Sequence, residues 1–421
     1  MSNALKLGDV AVVKGGSGFP EKYQGGSHGL PFIKVSDMNL PGNQRYIWKS
    51  NNYLNTTVYN LLRPTVFPRD TVVFAKVGAA VYLNKRRILT EDTAIDNNLM
   101  GVTATAIEPL FLYYLLQSID LAEWVQPGAL PSINQTIIED LPIPITDRKQ
   151  QRYISEVLNA VDNQIDATQA LIDKYTAIKQ GVMADLFSRG IDPETKALRP
   201  TFEDAPELYH ETPLGMLPKG WDVEMLGDLA SIASGITLGK DLSGVRTVLV
   251  PYLRVANVQD GYLDLSEVKS IAVPKVDAGK YVLQYGDVLM NEGGDFDKLG
   301  RGTVWREEIP GCCHQNHVFR VRADTRKLRF DYLAYWSASS FGKHYFVLNS
   351  KQSTNLASVN STQLKAFPVA KPTLEEQEEI ESRLQSVDGL LRSSKDELHK
   401  LNVQKSGLMQ DLLTGKVSVP A

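Results

Sequence analysis

The sequence repeats itself once, and that repetition constrains the fold more than any motif within it. Leu7-Gly8-Asp9-Val10 returns as Leu226-Gly227-Asp228-Leu229, and the run PFIKVSDMN at 31–39 returns as PYLRVANVQ at 251–259, at offsets of 219 and 220. Further along, Ser132 and Asn134 match Ser358 and Asn360, Pro142 matches Pro368, Gln151 matches Gln377, and Val161-Asp162 match Val387-Asp388. Gly181, Met183 and Asp185 match Gly407, Met409 and Asp411; this second group shares an offset of 226. Solenoid units run to about 20–50 residues, so a repeat of this length is a duplicated module rather than a stacking unit.

Each copy divides again. Its first part, 1–146 or 220–372, alternates short strand-like runs such as TVVFAKV at 71–77 and DVLM at 287–290 with turn-forming clusters and amphipathic stretches such as FLYYLLQSI at 111–119. That mixture reads as an α+β domain. The second part, 147–190 or 373–421, reads as one long helix. Ile154, Leu158, Val161, Ile165, Thr168, Ile172, Tyr175, Val182 and Leu186 keep mostly three/four spacing, and Ile380, Leu384, Val387, Leu391, Ser394, Leu398, Leu401, Leu408 and Leu412 repeat it in register. A helix of about 40 residues is about 60 Å long. That exceeds the domain beside it, so most of the stripe must meet something else. The equivalent seam on the other helix is the natural partner, because the chain reverses through the Pro-rich segment 191–219. The expected architecture is α+β: two duplicated domains joined by two long antiparallel helices forming a coiled coil, with pseudo-two-fold symmetry.

Composition serves mainly to exclude. At 421 residues the chain is too long for one ordinary core. It has no apolar run of about 18 residues to span a bilayer, and its start carries no signal-peptide pattern, so a cytoplasmic location is expected. Adjacent Cys312 and Cys313 are the only cysteines, which excludes a disulfide framework. The net charge of -4 argues against a polybasic coat but not against a local phosphate-binding patch.

No catalytic set emerges. The stretch Gly15-Gly16-Ser17-Gly18 lacks the lysine and hydroxyl of a phosphate loop and reads as a turn. No Asn-Pro-Pro-aromatic or Asp-Pro-Pro-aromatic tetrapeptide is present to supply an amino-methyltransferase loop, and Glu267-x-Lys269 is a triplet that chance supplies. Cys312, Cys313, His314 and His317 lack the paired spacing of a zinc site, and the matching segment Thr93–Asn98 has neither Cys nor His, so no metal is expected. Binding surfaces remain. Lys76, Lys85, Arg86 and Arg87 flank Gly78 and Tyr82 in the first domain, and Lys298, Arg301 and Arg306 follow Gly293-Gly294 in the second. Such residues beside flexible glycine are candidates to reach phosphates, and arginine also forks onto guanine.

Five stretches then resemble one family. They are TPLGMLPKGWDVEMLGDLA at 212–230, LPSINQTIIEDLPIPIT at 130–146, ASVNSTQLKAFPVAKPTLEEQEEI at 357–380, and the helix ends GVMADLFSRG and GLMQDLLTGK. In that order they look like type I restriction–modification specificity subunits. The resemblance makes 1–146 and 220–372 target-recognition domains, 147–190 and 373–421 the long helices, and 191–219 a linker. One departure is that LKLGDV has no preceding Gly-Trp, so the first strand is expected to be shorter than its counterpart around Trp221.

The resemblance also implies a non-catalytic subunit that reads a split sequence on double-stranded DNA. It would hold two methyltransferase subunits and, in the full complex, motor-nuclease subunits. S-adenosylmethionine, ATP and magnesium would then be bound by those partners and not by this chain. Two other readings stay open: a duplicated coiled-coil adaptor that never binds DNA, and a single-chain restriction enzyme with its own methyl-transfer site.

Overall fold

The computed structural model describes residues 5–126, 131–144, 147–239, 241–294, 299–300, 302–352 and 357–417. They form two compact units, one of residues 1–170 with 395–421, the other of residues 171–394. Among the described residues no helix is long and apolar enough to cross a membrane.

In the first unit, β1 (Ala11–Gly15), β2 (Tyr46–Ile47), β3 (Val72–Ala75), β4 (Arg86–Leu89) and β5 (Leu99–Ala104) form one sheet in the order β1-β5-β3-β4-β2. Alternation sorts its side chains: Met100 and Val102 of β5 face the core that contains α1 (Pro109–Gln117), while Leu99 faces a second cluster with Ile33, Phe67 and Ile95. Gly101 between them admits the ring of Phe67, which would lie 2.5 Å from a Cβ there. The chain then enters α2 (Arg148–Arg189), 42 residues long.

The second unit repeats the plan. Strands β6 (Ala230–Ala233), β7 (Val288–Asn291), β8 (Gly302–Val304) and β9 (Val318–Ala323) lie in the order β6-β9-β7-β8, the equivalent of β1-β5-β3-β4. Helix α3 (Phe330–Ala338) takes the place of α1, and α4 (Leu374–Leu413) comes after it. The strand leading into the second domain, Asp222–Met225, pairs over four residues with Pro368–Lys371, whereas Leu5–Lys6 pairs over two with Pro142–Ile143.

The two long helices run antiparallel and meet inside both units. In the first, Lys405 of α4 pairs with Asp162 of α2 at 2.7 Å; in the second, Lys179 of α2 pairs with Asp388 of α4 at 2.6 Å. The step from Asp162 to Lys179 is 17 residues forward on α2, and that from Lys405 to Asp388 is 17 residues back on α4. These two ion pairs are images of each other under the 226-residue offset. Each aspartate also accepts from a domain tyrosine, Tyr114 Oη at 2.9 Å or Tyr335 Oη at 2.8 Å, and each lysine stands over that tyrosine's ring. Burial, reinforced by the carboxylate, pushes both phenols well above the usual tyrosine range and keeps them as donors.

Below each triad lies a mixed core. Ile154 and Leu158 of α2 pack with Leu408, Met409, Leu412 and Leu413 of α4 on the first domain. Ile380 and Leu384 of α4 pack with Val182, Met183, Leu186 and Phe187 of α2 on the second. At these positions seam and domain core merge: Ile154, Leu158, Ile380 and Leu384, near the start of their helices, share a cluster with both the preceding domain and the other helix. Val161, Ile172 and Leu391 are buried farther along, and Ile165, Val387 and Leu398 are half-buried. The segment 191–219 is packed rather than a loose connection. Its Ile191, Tyr209 and Leu217 are buried, and Glu376 at the start of α4 accepts from the Ile191 N–H at 2.7 Å and pairs with Arg199 at 2.5 Å.

Candidate nucleic-acid interface

Of the seven basic candidates, the structure turns several inward. Arg86 is 2% exposed. Its Nη1 donates to the Asn84 carbonyl at 2.6 Å and to Asn84 Oδ1 at 3.0 Å, and its Nη2 donates to the Ile119 carbonyl. Burial holds its pKa down to about 10. Arg87 donates through Nε and Nη2 to the Met38 carbonyl at 3.3 and 3.2 Å, and Lys85 donates to Asn39 Oδ1 at 2.5 Å. These three residues brace the 35–39 turn and the end of α1 against β4. Arg86 as a DNA contact is therefore set aside in favour of a strut: it is buried, and its Nη1 and Nη2 are spent on protein oxygens. Arg86→Ala is expected to lower stability by about 1–3 kcal/mol through the acceptors it strands. The salt dependence of DNA binding should stay as it is. Denaturant unfolding beside a salt series of affinities checks this, and lost affinity at unchanged stability would return Arg86 to the interface.

Arg306 is also engaged. Its guanidinium lies 5.5 Å from the Tyr285 ring centroid and 5.4 Å from that of Phe330, donates to Tyr285 Oη at 3.1 Å, and pairs with Asp331. Lys298 and Arg301 lie outside the described residues. Lys76 differs from the others: no described residue accepts from its ammonium, which rests where a Cβ on Gly15 would come within 2.7 Å.

Lys76 stands on a platform of which each unit builds its own copy. Its backbone N–H donates to the Asn98 carbonyl at 2.9 Å, and its own carbonyl accepts from the Ile133 N–H at 2.9 Å. In the second unit Glu292 N–H donates to the His317 carbonyl at 2.9 Å, and the Glu292 carbonyl accepts from the Val359 N–H at 2.7 Å. Beside the platform, a Cβ on Gly16 would lie 2.0 Å from the Asp96 carbonyl oxygen, and one on Gly235 would lie 1.9 Å from that of His314. Both positions need glycine for this close approach. Sequence reading set Thr93–Asn98 against the segment that ends at His317, but it did not connect Asn98 with Lys76 or His317 with Glu292.

The Cys-Cys-His run is core. Cys312 packs with Leu253 and Trp305, Cys313 packs with Tyr252 and Val273, and burial pushes their thiols up to about 12 and about 11. His314 Nδ1 donates to the Val318 carbonyl at 2.7 Å, and burial pushes its pKa down to about 4. Among the described residues no three His, Cys, Asp or Glu side chains converge as metal ligands would.

Residues 2–176 and 218–403 each match the type I restriction modification DNA specificity domain, one match per copy of the repeat. The chain is 27% identical over 212 residues to the putative type I restriction enzyme MjaX specificity subunit of Methanocaldococcus jannaschii, 49% of either chain, so it spans about half of that relative. Against the MjaVIII specificity subunit of the same organism it is 26% identical over 322 residues, 74% of this chain and 71% of the other. The crystal structure of the type I restriction–modification S subunit from M. genitalium is similar over 100% of this chain and 98% of its own, with a TM-score of 0.56 at 14% identity. At that identity the likeness speaks to the fold, and it covers both units. With both copies of its repeat matched, this chain belongs to the type I restriction modification DNA specificity family.

Proposed function

We propose that the protein is a sequence-specificity subunit of a type I restriction–modification enzyme. It reads double-stranded DNA at a target of two short sequences separated by a gap, one sequence per α+β domain. The observation that carries this reading is the separate match of each repeat to the DNA specificity domain, on modules with the same strand order. A coiled-coil adaptor would have no use for two such domains. The chain holds two methyltransferase subunits, and motor-nuclease subunits join in the full complex. S-adenosylmethionine, ATP and magnesium act on those partners. The long helices serve as a coiled coil along Ile154, Leu158, Val161, Ile165 and Ile172 on one side and Ile380, Leu384, Val387, Leu391 and Leu398 on the other, and the assembly works in the cytoplasm.

The purified chain alone is expected to shift DNA in a salt-sensitive manner, to bind no S-adenosylmethionine, and to transfer no methyl group. Adenine methylation should appear when its methyltransferase subunit is added. Affinity measured from about 50 to 200 mM salt should fall log-linearly, with a slope of about 0.9 for each phosphate contacted. Methylation by the isolated, mass-verified chain would refute the non-catalytic role, and absence of any DNA binding with or without the partner would favour the adaptor.

A further inference from the structure

Each unit fixes its own copy of the platform with the same backbone hydrogen bonds, and the two copies carry opposite chemistry. In the first unit it carries the Lys76 ammonium and the exposed Asn98, whose Nδ2 donates to Asp96 Oδ2 at 3.3 Å while its N–H donates to Asp96 Oδ1 at 2.8 Å. Asp96 is itself buried, so it holds Asn98 from beneath. In the second unit the same two positions carry Glu292 and His317, whose Nδ1 lies 2.5 Å from Glu292 Oε2 with side chains 30% and 55% exposed. Backbone partners are preserved while charge is reversed. A position held this firmly and yet free to change sign is not required by the fold, since either residue satisfies the same main-chain bonds.

Resting on the DNA-reading function proposed above, we propose that Glu292 and His317 determine the base preference of the second domain, and that Lys76 and Asn98 do so for the first. The chemistry assigns partners. A carboxylate accepts from the exocyclic amino group of cytosine, lysine donates to guanine O6 and N7, and asparagine pairs bidentately with adenine. A carboxylate facing DNA is repelled by phosphates wherever it finds no amino group, so Glu292 weakens binding to other sequences. The His317 ring, its Nδ1 against that carboxylate, orients Glu292 and offers its other ring nitrogen to the same base pair. Lys76 attracts every sequence and adds a preference for guanine.

The test uses the full-length chain with its methyltransferase subunit and reads the methylated motif across a genome, alongside affinity for matched and mismatched duplexes. Glu292→Gln is expected to alter one half-site only, relaxing discrimination for cytosine at one position by about 5- to 150-fold, the equivalent of about 1–3 kcal/mol. It should also raise affinity for unrelated DNA. His317→Ala should affect that same half-site. Lys76→Ala and Asn98→Ala should affect the other, with Lys76→Ala lowering affinity for unrelated DNA. Because these side chains are at least partly exposed, melting temperatures should stay close to wild type. Unchanged motifs and discrimination in all four variants overturn the assignment, as does a change in the same half-site from Glu292→Gln and Lys76→Ala. A wild-type complex that methylates a bipartite motif beside such variants would leave the DNA-reading function standing and remove only these residues from it. A wild-type complex with no sequence motif at all would remove both.

Discussion

A fragment of residues 1–195 is expected to form a homodimer at micromolar concentration. The first unit is completed by the far end of α4, which supplies Lys405, Leu408, Met409, Leu412 and Leu413 to a socket of Tyr114, Ile154, Leu158 and Asp162. Their counterparts on α2 at the 226-residue offset are Lys179, Val182, Met183, Leu186 and Phe187, the same residues that complete the second unit. Cut from its second half, α2 can offer this set to the socket of another copy, with Lys179 of each copy against Asp162 of the other.

The fit is imperfect. Phe187 replaces Leu413 and overpacks a site shaped for the smaller side chain, at a cost of about 1–3 kcal/mol, so the dimer should be weaker than the intact chain. Lys179→Asp should abolish it, since two buried carboxylates would then face each other. Adding Asp162→Lys to that variant should restore it. Light scattering reads the outcome, and a folded monomer at micromolar concentration would refute the socket. With methyltransferase supplied, the dimer should modify an inverted repeat of the first half-site, because both readers are now the same.

Matched insertion of four residues after Ala170 and after Ser394 is expected to change or abolish recognition of the gapped target while leaving both half-site preferences intact. Those two points are where one compact unit gives way to the other, so neither core nor either Tyr–Asp–Lys triad is touched. Four residues add about 6 Å of helix, under two base pairs of DNA, and rotate the downstream part of the helix by little more than one full turn. If helix length sets the gap, the mapped motif should change spacing and keep its letters. An unchanged motif would show that something else holds the spacing. A single insertion in α2 should do worse, because Lys179 would then miss Asp388 while Lys405 still held Asp162, and one antiparallel register cannot satisfy both.

Much of this was legible in the chain itself. The offsets of 219–226 gave two modules, and period-two and three/four patterns gave strands and two long helices. Matching of Val161-Asp162 with Val387-Asp388 already located the aspartates of both triads. These signals are local or self-referential, so they survive without knowledge of what touches what. The surroundings of Arg86 and Arg87 were not legible, for the opposite reason. The carbonyls that take the guanidinium donors of Arg86 and Arg87 belong to Ile119 and Met38, 33 and 49 residues away, and no spacing announces a main-chain acceptor. Likewise, the apolar stripe on α2 showed that Ile154 and Leu158 are buried but not by what, because a helix face reads alike against a domain core or another helix. Duplication and periodicity are written in the order of residues. Which donors are satisfied, which side chains share a platform, and where one compact unit yields to the next depend on distances between residues far apart in the chain, and only folding sets those.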